Sequence, residues 1–235
     1  MAKKKTDSAA SLRDVGATSH RIIKCSIELF NRKGLRNVAI ERIAAGLKIS
    51  PGNLTYHFPR KQQLIAATLE FMKLELRTAL EPPTGVRTAR DGADYLIRLY
   101  RTLWDYRFFF NALTYVLTDR HLRREYSDFK AWAMETMRRD LEVLREHGHF
   151  VQPVAPNTFV LLAENMWALW LNWLRLQQIE TPLAKTPDDA AIYDCALHNW
   201  SLCQPWMDAA YAAELLQVFN ELLNTRKAVS KRLGG

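Results

Sequence analysis

The 235-residue chain contains few of the residues on which enzymes and secreted proteins commonly depend. Any pairing of its three cysteines, Cys25, Cys195 and Cys203, leaves one over, and none belongs to a CxxC pair. Its 9 glycines form no phosphate-binding loop, and the GxSxG, HExxH and Rossmann patterns are missing. We therefore expect no enzymatic activity, no cofactor and no metal site, with reduced cysteines that pack as small apolar residues.

Long apolar segments are missing as well. No run approaches the roughly 18 residues that a membrane-spanning helix requires. Lys3 to Lys5 are followed by small and polar residues instead of the apolar centre of a secretory signal. Apolar residues make up 48% of the chain and charged residues 25%, which is typical of a globular protein. We expect a cytoplasmic protein with no membrane partner.

Positive charge is concentrated in the first third of the chain. Residues 1–80 hold 15 Lys and Arg against 6 Asp and Glu, a net charge of +9, whereas the other 155 residues have a net charge of −1. Such a basic segment favours a polyanionic partner, because cationic side chains displace counterions from phosphates. A solvated basic surface without a partner is the alternative explanation.

Helical periodicity begins at Thr18, after a polar segment, residues 1–17, that we interpret as a flexible basic tail. Apolar residues recur at steps of three and four up to Phe30, and Gly34 is typical of a helix end. A second helix is predicted over 38–47, with Asn37 as its N-cap.

A turn at Ile49 leads into a short third helix. Ser50 is predicted as its N-cap and Pro51 as its first residue, followed by a helix over 51–57 whose buried residues are Leu54 and Phe58. A fourth helix is predicted over 60–80. Short helices joined by a tight turn indicate a helix-turn-helix domain over 18–64.

The outward side of helix 51–57 carries side chains suited to DNA. Asn53 is able to make a bidentate contact to adenine, and Thr55 to touch a thymine methyl group. Tyr56, His57 and Lys61 suit phosphate oxygens, which fix the register of a protein on the duplex. Packing within the small domain is the alternative role for Tyr56 and His57.

About residues 18–65 resemble the tetracycline-repressor (TetR) family. The similarity depends on Ile43-Ala44, the Ile49-Ser50 turn, Leu54 with Tyr56-His57-Phe58, and Lys61. It implies a recognition helix in the major groove of DNA. It also implies further contacts with the DNA backbone at the starts of the first and second helices. The implied DNA-binding residues are Thr18, Asn37, Ser50, Pro51, Gly52, Asn53, Thr55, Tyr56, His57 and Lys61. Leu47-Lys48 stands where the family usually has Ala-Gly, and Val38-Ala39 replaces a frequent threonine, which weakens one implied phosphate contact.

The rest of the chain shows helical periodicity and no strand-like alternation. Helices are predicted over 88–104, 106–118, 121–147, 156–180 and 206–228, and residues 181–205 read as a loop with one short helix over 188–200. The fold class is therefore all-α, with an N-terminal helix-turn-helix domain, a helical effector-binding and dimerisation domain over 65–228, and a flexible tail over 229–235.

Helix 156–180 carries two apolar stripes, which require two coverings. We expect one stripe to face the core and the other to face a second copy of the chain. The alternative is that both stripes are buried within the core of one chain. The predicted dimer interface is Phe159, Leu162, Met166, Leu169, Trp173, Leu215, Phe219 and Leu222.

An aromatic-rich region suggests where a ligand binds. The family resemblance implies an effector pocket in the helical domain, here predicted to be lined by Leu99, Leu103, Phe108, Phe109, Tyr115, Trp167 and Trp170. Ile49 to Leu54 and Tyr106 to Phe110 also resemble a branch that includes regulators of polyhydroxyalkanoate storage, which implies an acyl chain or acyl-CoA. Ordinary core packing is the alternative.

Two functions fit these patterns. One is a homodimeric repressor on a palindromic operator, whose fourth helix tilts when an apolar or amphipathic effector binds. The other is a DNA-binding protein of the same type without a small-molecule effector, with an architectural or cell-division role. A change of DNA affinity caused by an apolar small molecule would distinguish them.

Overall fold

The computed structural model describes residues 16–85, 87–180 and 189–233, which contain eleven α-helices and no strand. The all-α prediction is confirmed. The predicted tail over 1–17 lies almost wholly outside these residues, as do loop residues 181–188. The chain divides into two compact units between Phe71 and Met72, whereas the sequence analysis placed the boundary after residue 64.

The first unit holds three short helices and the beginning of a fourth. They are α1 (Ala17–Lys33), α2 (Ile40–Leu47), α3 (Pro51–His57) and α4 (Lys61–Leu80), with a 3₁₀ turn at Leu35–Asn37. Helix α1 ends where the amide of Gly34, at φ +80°, donates to Phe30 O over 2.9 Å. Its core is a continuous apolar cluster of Ile22, Ile23, Phe30, Leu35, Val38, Ile43, Leu54, Phe58 and Leu64.

The entry to α2 differs from the prediction. Helix α2 begins at Ile40, and its N-cap residue is Ala39, which offers no capping side chain. Asn37 is therefore not the N-cap: it closes the 3₁₀ turn, and its Nδ2 donates to Lys33 O over 3.0 Å. The exit was not predicted either, because Lys48 adopts the left-handed conformation, at φ 56° and ψ 40°.

The second unit contains the rest of α4 and seven further helices. They are α5 (Ala89–Asp105), α6 (Arg107–Asn111), α7 (Leu113–Val116), α8 (Arg120–Glu146), α9 (Phe159–Glu180), α10 (Asp189–Cys203) and α11 (Ala209–Leu233). Side chains cap at least four of them. Thr88 and Asp91 form a capping box on α5, and Asp119 accepts from two backbone amides of α8. Thr158 accepts from one amide of α9, and Asp208 from two amides of α11.

Three helix predictions in this unit need correction. The helix expected over 106–118 is broken into α6 and α7 at Ala112, and the short helix expected over 188–200 continues to Cys203. Helix α11 runs from Ala209 to Leu233, so it ends five residues beyond the predicted end at 228. None of the helices in the described ranges is both long and apolar enough to cross a bilayer.

Both stripes of α9 lie in the interior of the single chain. Six of the eight residues predicted at the dimer interface are buried like those of the second stripe, and α9 packs against both α8 and α10. The predicted interface residues that instead lie in the core are Phe159, Leu162, Met166, Trp173, Leu215 and Phe219. Leu169 and Leu222 are only half-buried.

Candidate nucleic-acid interface and internal cavity

Helix α3 is held in place by a cap and two buried side chains. Ser50 Oγ accepts a hydrogen bond from the amide of Asn53 over 3.1 Å, and Pro51 occupies the first turn, where no amide proton is needed. Leu54 and Phe58 are buried. The predicted bounds, cap and buried pair of this helix are all confirmed.

The opposite side of α3 is open to solvent. Pro51, Gly52, Asn53 and Thr55 are exposed, and Tyr56 is 83% exposed. Thr55 Oγ1 donates to Gly52 O over 3.1 Å, so its hydroxyl proton is already used. A short helix with buried apolar residues on one side and an amide, a methyl group and a phenol on the other has the form of a groove-reading helix.

His57 is only half-buried and connects α3 to α1. Its Nδ1 lies 2.9 Å from Ser19 Oγ, a hydrogen bond whose donor depends on the histidine tautomer. The ring also meets Tyr56 edge-on, with centroids 5.4 Å apart. Ser19 was not predicted from the sequence, since no local pattern joins residues that lie 38 positions apart.

Lys61 is tied to the protein backbone. Its Nζ donates to Leu35 O over 2.7 Å and lies 3.5 Å from Arg36 O, so the ammonium group binds the 3₁₀ turn that follows α1. Burial lowers the pKa of Lys61 below its ordinary value. Lys61 thus positions this turn, and its contact with phosphate stays a prediction. Thr18 is half-buried in the first turn of α1, and Asn37 is exposed.

The second unit contains a cavity of about 50 Å³ between helices α5, α8, α9, α10 and α11. Of the predicted pocket residues, only Leu99 and Trp170 line it. Its wall is mainly apolar and includes Leu99, Met137, Leu141, Met166, Trp170, Met207 and Leu215. Met166 and Leu215 were predicted at the dimer interface instead.

The other predicted pocket residues do not line this cavity. Leu103, Phe108, Phe109 and Trp167 are buried in the surrounding core, and Tyr115 is half-buried. Phe109 packs on Phe110 and Tyr126, and Trp167 on Phe129. The periodicity of each helix identified buried residues correctly but gave no information on which of them border the cavity.

A buried ion pair lies in the cavity wall. Arg87 Nη2 donates to Asp140 Oδ1, and the two side chains are 3% and 9% exposed. Burial acts to lower the pKa of Arg87, but the hydrogen bond and charge of Asp140 outweigh it, so the pKa is raised above its ordinary value. Arg87 Nε has no hydrogen-bond partner.

The other polar groups of the wall are neutral. Asn199 Oδ1 accepts from Trp170 Nε1 over 3.0 Å, and Tyr95 OH donates to Leu80 O over 3.3 Å. Burial raises the pKa of Cys203 and that of Tyr211 to about 12 each, so both remain protonated at neutral pH. Across the described ranges, no cluster of His, Cys, Asp and Glu is arranged to hold a metal ion.

These features describe a helix-turn-helix DNA-binding protein with a second, helical unit that carries an internal cavity. Residues 22–68 match the profile of bacterial regulatory proteins of the TetR family, and residues 71–215 match the profile of the TetR bacterial transcriptional repressor. The chain belongs to the TetR family and is a DNA-binding transcriptional regulator, not an enzyme.

Solved structures agree with this assignment. A TetR-family regulator from Marinobacter aquaeolei VT8 is 30% identical, with a TM-score of 0.73 over 87% of this chain and 98% of that one. A transcriptional regulator from Saccharomonospora viridis, in complex with choline, is 20% identical, with a TM-score of 0.62 over 80% and 95%. A gamma-butyrolactone receptor is 15% identical, with a TM-score of 0.60 over 87% and 97%. The last two show similarity of fold alone. Comparison with curated protein sequences gives no match.

Proposed function

We propose that this chain is a ligand-responsive repressor that binds a palindromic operator as a homodimer in the cytoplasm. The observation that carries the proposal is helix α3, which is capped by Ser50, anchored by Leu54 and open to solvent at Asn53, Thr55 and Tyr56. A dimer would place two such helices in successive major grooves, and its symmetry would require a palindromic site.

The proposal assigns separate roles to the exposed side chains. Asn53 and Thr55 read base edges, whereas Tyr56 and His57 contact phosphates, with His57 oriented by Ser19. Thr18 and Asn37 are proposed to make further contacts with the DNA backbone. Ser50, Pro51 and Gly52 form the turn that enters the groove, and Lys61 supports the adjacent 3₁₀ turn.

Selection of bound duplexes from a random DNA pool tests this proposal. We expect enrichment of a palindrome whose half-sites lie about one helical turn apart. Fluorescence anisotropy on the selected site should then show weaker binding by Asn53→Ala, and unchanged binding by Asn157→Ala, which removes an exposed amide from a loop outside α3. Failure to enrich any duplex, even in dilute salt, would contradict the proposal.

The dimer surface that we propose is the solvent-facing side of α9 together with α10. Since six of the eight predicted interface residues lie in the core, the apolar side chains left for a partner include Val160, Leu161, Leu176 and Ile179 on α9 and Leu197 on α10, which are 50%, 40%, 44%, 80% and 36% exposed. Leu161 and Ile179 are separated by five helical turns and so share one face. Exposed apolar side chains along one face of a helix are available for association with a partner.

Sedimentation velocity tests this surface. Leu176→Glu should shift the chain from dimer to monomer, because a second copy would bury the carboxylate without a counter-ion. Val154→Glu is the matched control, since Val154 is 75% exposed in a loop outside this face. A dimer that survives Leu176→Glu would place the interface elsewhere.

We further propose that the cavity binds an apolar or amphipathic effector. Helix α8, which supplies Met137, Asp140 and Leu141 to the cavity, is joined to the second half of α4 by the Lys73–Glu125 ion pair, at 2.5 Å. Arg77 stacks over Trp132 as a second link, 4.3 Å from the ring centroid. Because α4 is continuous from Lys61 to Leu80, a ligand that moves α8 would also shift the start of α4.

The coupling has a direct test. If this route operates, Lys73→Met should still bind both DNA and effector. The effector should then change its DNA affinity by a smaller factor than it changes that of the wild-type chain. An acyl chain remains the prediction from the sequence resemblance, but a whole acyl-CoA needs far more room than about 50 Å³. The alternative, a regulator without any effector, requires that no small molecule change the DNA affinity.

A further inference from the structure

Arg87 is an unusual residue in the wall of the cavity. Its side chain is 3% exposed and one of its terminal nitrogens is bonded to Asp140, yet its Nε has no hydrogen-bond partner. Buried polar groups in folded proteins are nearly always paired, and an unpaired one points to strain or to a partner that binds there. Arg87 therefore offers a donor that the protein itself does not use.

Two neighbouring polar side chains of the cavity wall, Asn199 and Tyr95, form hydrogen bonds within the protein. Asn199 accepts from Trp170, and its Nδ2 lies 3.7 Å from Cys203 Sγ. Tyr95 donates to the backbone of α4. We propose that the cavity binds a small uncharged molecule with an apolar body and one carbonyl or hydroxyl oxygen, which accepts a hydrogen bond from Arg87 Nε. This inference rests on the proposed function, since it names the chemical class of the effector.

The ion pair excludes charged ligands of either sign. An unpaired arginine would attract a carboxylate, but here Asp140 already balances the charge of Arg87. A second carboxylate in the same small space would be repelled by Asp140, and an ammonium group by Arg87, with little water to screen either interaction. An uncharged oxygen accepts a hydrogen bond from Arg87 Nε without this electrostatic repulsion.

The wall is able to adapt to such a molecule. A volume of about 50 Å³ holds only a few waters, so a six-membered ring requires side chains to move. Met137, Met166 and Met207 line the cavity, and methionine changes shape at little cost because its side chain is unbranched and flexible. Elsewhere in the wall, Tyr211 OH lies so close to Gly92 that a Cβ there would come within 2.7 Å of it.

Direct binding to the full-length chain without DNA tests the proposed class. Four matched probes share one ring: cyclohexanone, cyclohexanol, cyclohexanecarboxylate and cyclohexylamine. We expect the ketone and the alcohol to bind by titration calorimetry with a Kd on the order of 1 mM, as is usual for ligands of this size. The carboxylate and the ammonium probe should bind at least about tenfold more weakly.

Arg87→Lys is the matched variant, because lysine keeps a positive charge opposite Asp140 but lacks the Nε donor. We expect cyclohexanone binding to weaken about tenfold, the effect of removing a hydrogen bond from a charged donor. A second measurement needs no substitution: in arginine-labelled wild-type chain, the Nε–H resonance of Arg87 should shift on addition of cyclohexanone and not of cyclohexane. That readout decides the matter if Arg87→Lys fails to fold.

Three results would overturn the inference: no binding of either uncharged probe, equal or tighter binding of a charged probe, or cyclohexanone binding that leaves the Arg87 resonance unmoved. The DNA assay is kept separate from these titrations. Failure of the chain to bind any selected duplex contradicts the proposed function, whereas the probe comparison judges the chemistry of the cavity alone.

Discussion

The two units of this chain use polar side chains in opposite ways. In the first unit, Asn53 and Tyr56 are exposed on a short helix, and a partner reaches them without any change in the core. In the second, Arg87, Asp140 and Asn199 are buried and bonded across helices. An exposed group costs nothing in solvation and acts by itself, whereas a buried one depends on every neighbour that pairs with it. Contacts with DNA should therefore be separable by single substitutions, and the cavity should respond as a unit.

The largest expected effect belongs to the buried pair. Arg87→Met leaves Asp140 charged and unpaired in the core, and should lower the free energy of unfolding by about 3–5 kcal/mol. Tryptophan fluorescence during urea unfolding follows the second unit alone, since all 7 tryptophans lie beyond residue 103. The double variant Arg87→Met/Asp140→Leu should recover most of the loss, because no unpaired charge remains. If the single and double variants were equally unstable, packing and not charge would explain the effect.

The next prediction concerns an exposed polar side chain of the first unit, which Asn53→Ala removes. Its side chain is exposed and supports no packing, so the urea midpoint should not change. On DNA we expect a loss of about 1–3 kcal/mol at the base that it reads, and a smaller loss on operator variants with another base there. Anisotropy titrations across single-base variants of the selected site measure both. A uniform loss across all variants would show that Asn53 contacts the backbone.

This contrast also explains which parts of the molecule could be predicted from the sequence. Helix α3 was predicted with its bounds, cap and exposed face, because all of these depend on neighbours within about one helical turn. The cavity and the dimer surface were not, because periodicity shows that a helix side is buried without showing what buries it. Arg87 and Asp140 are 53 positions apart, and no local pattern relates them.

Ser50→Ala tests whether local capping sets the stability of the first unit. Removing the acceptor of the Asn53 amide should destabilise this unit by about 1 kcal/mol, a usual value for an N-cap serine. Thermal unfolding followed by circular dichroism measures the change, and tryptophan fluorescence should not register it. Ser127→Ala is the control, because Ser127 is exposed inside α8 and caps nothing. Equal shifts for the two variants would show that the cap contributes no stability.

The smallest expected effect is a gain. Lys48 is in the left-handed conformation, which costs a residue with a Cβ about 1–2 kcal/mol, and the family resemblance places glycine at this position. Lys48→Gly should raise the free energy of unfolding by about 0.5–1 kcal/mol, since the relief exceeds the entropy that glycine adds to the unfolded chain. Lys48→Ala separates strain from charge, because it removes the same ammonium group and keeps the Cβ. Both variants should lose the same DNA affinity if Lys48 acts on phosphates, while only the glycine variant gains stability. Equal stability of the two would mean that the turn between α2 and α3 stores no strain, and that lysine stands there without cost to the fold.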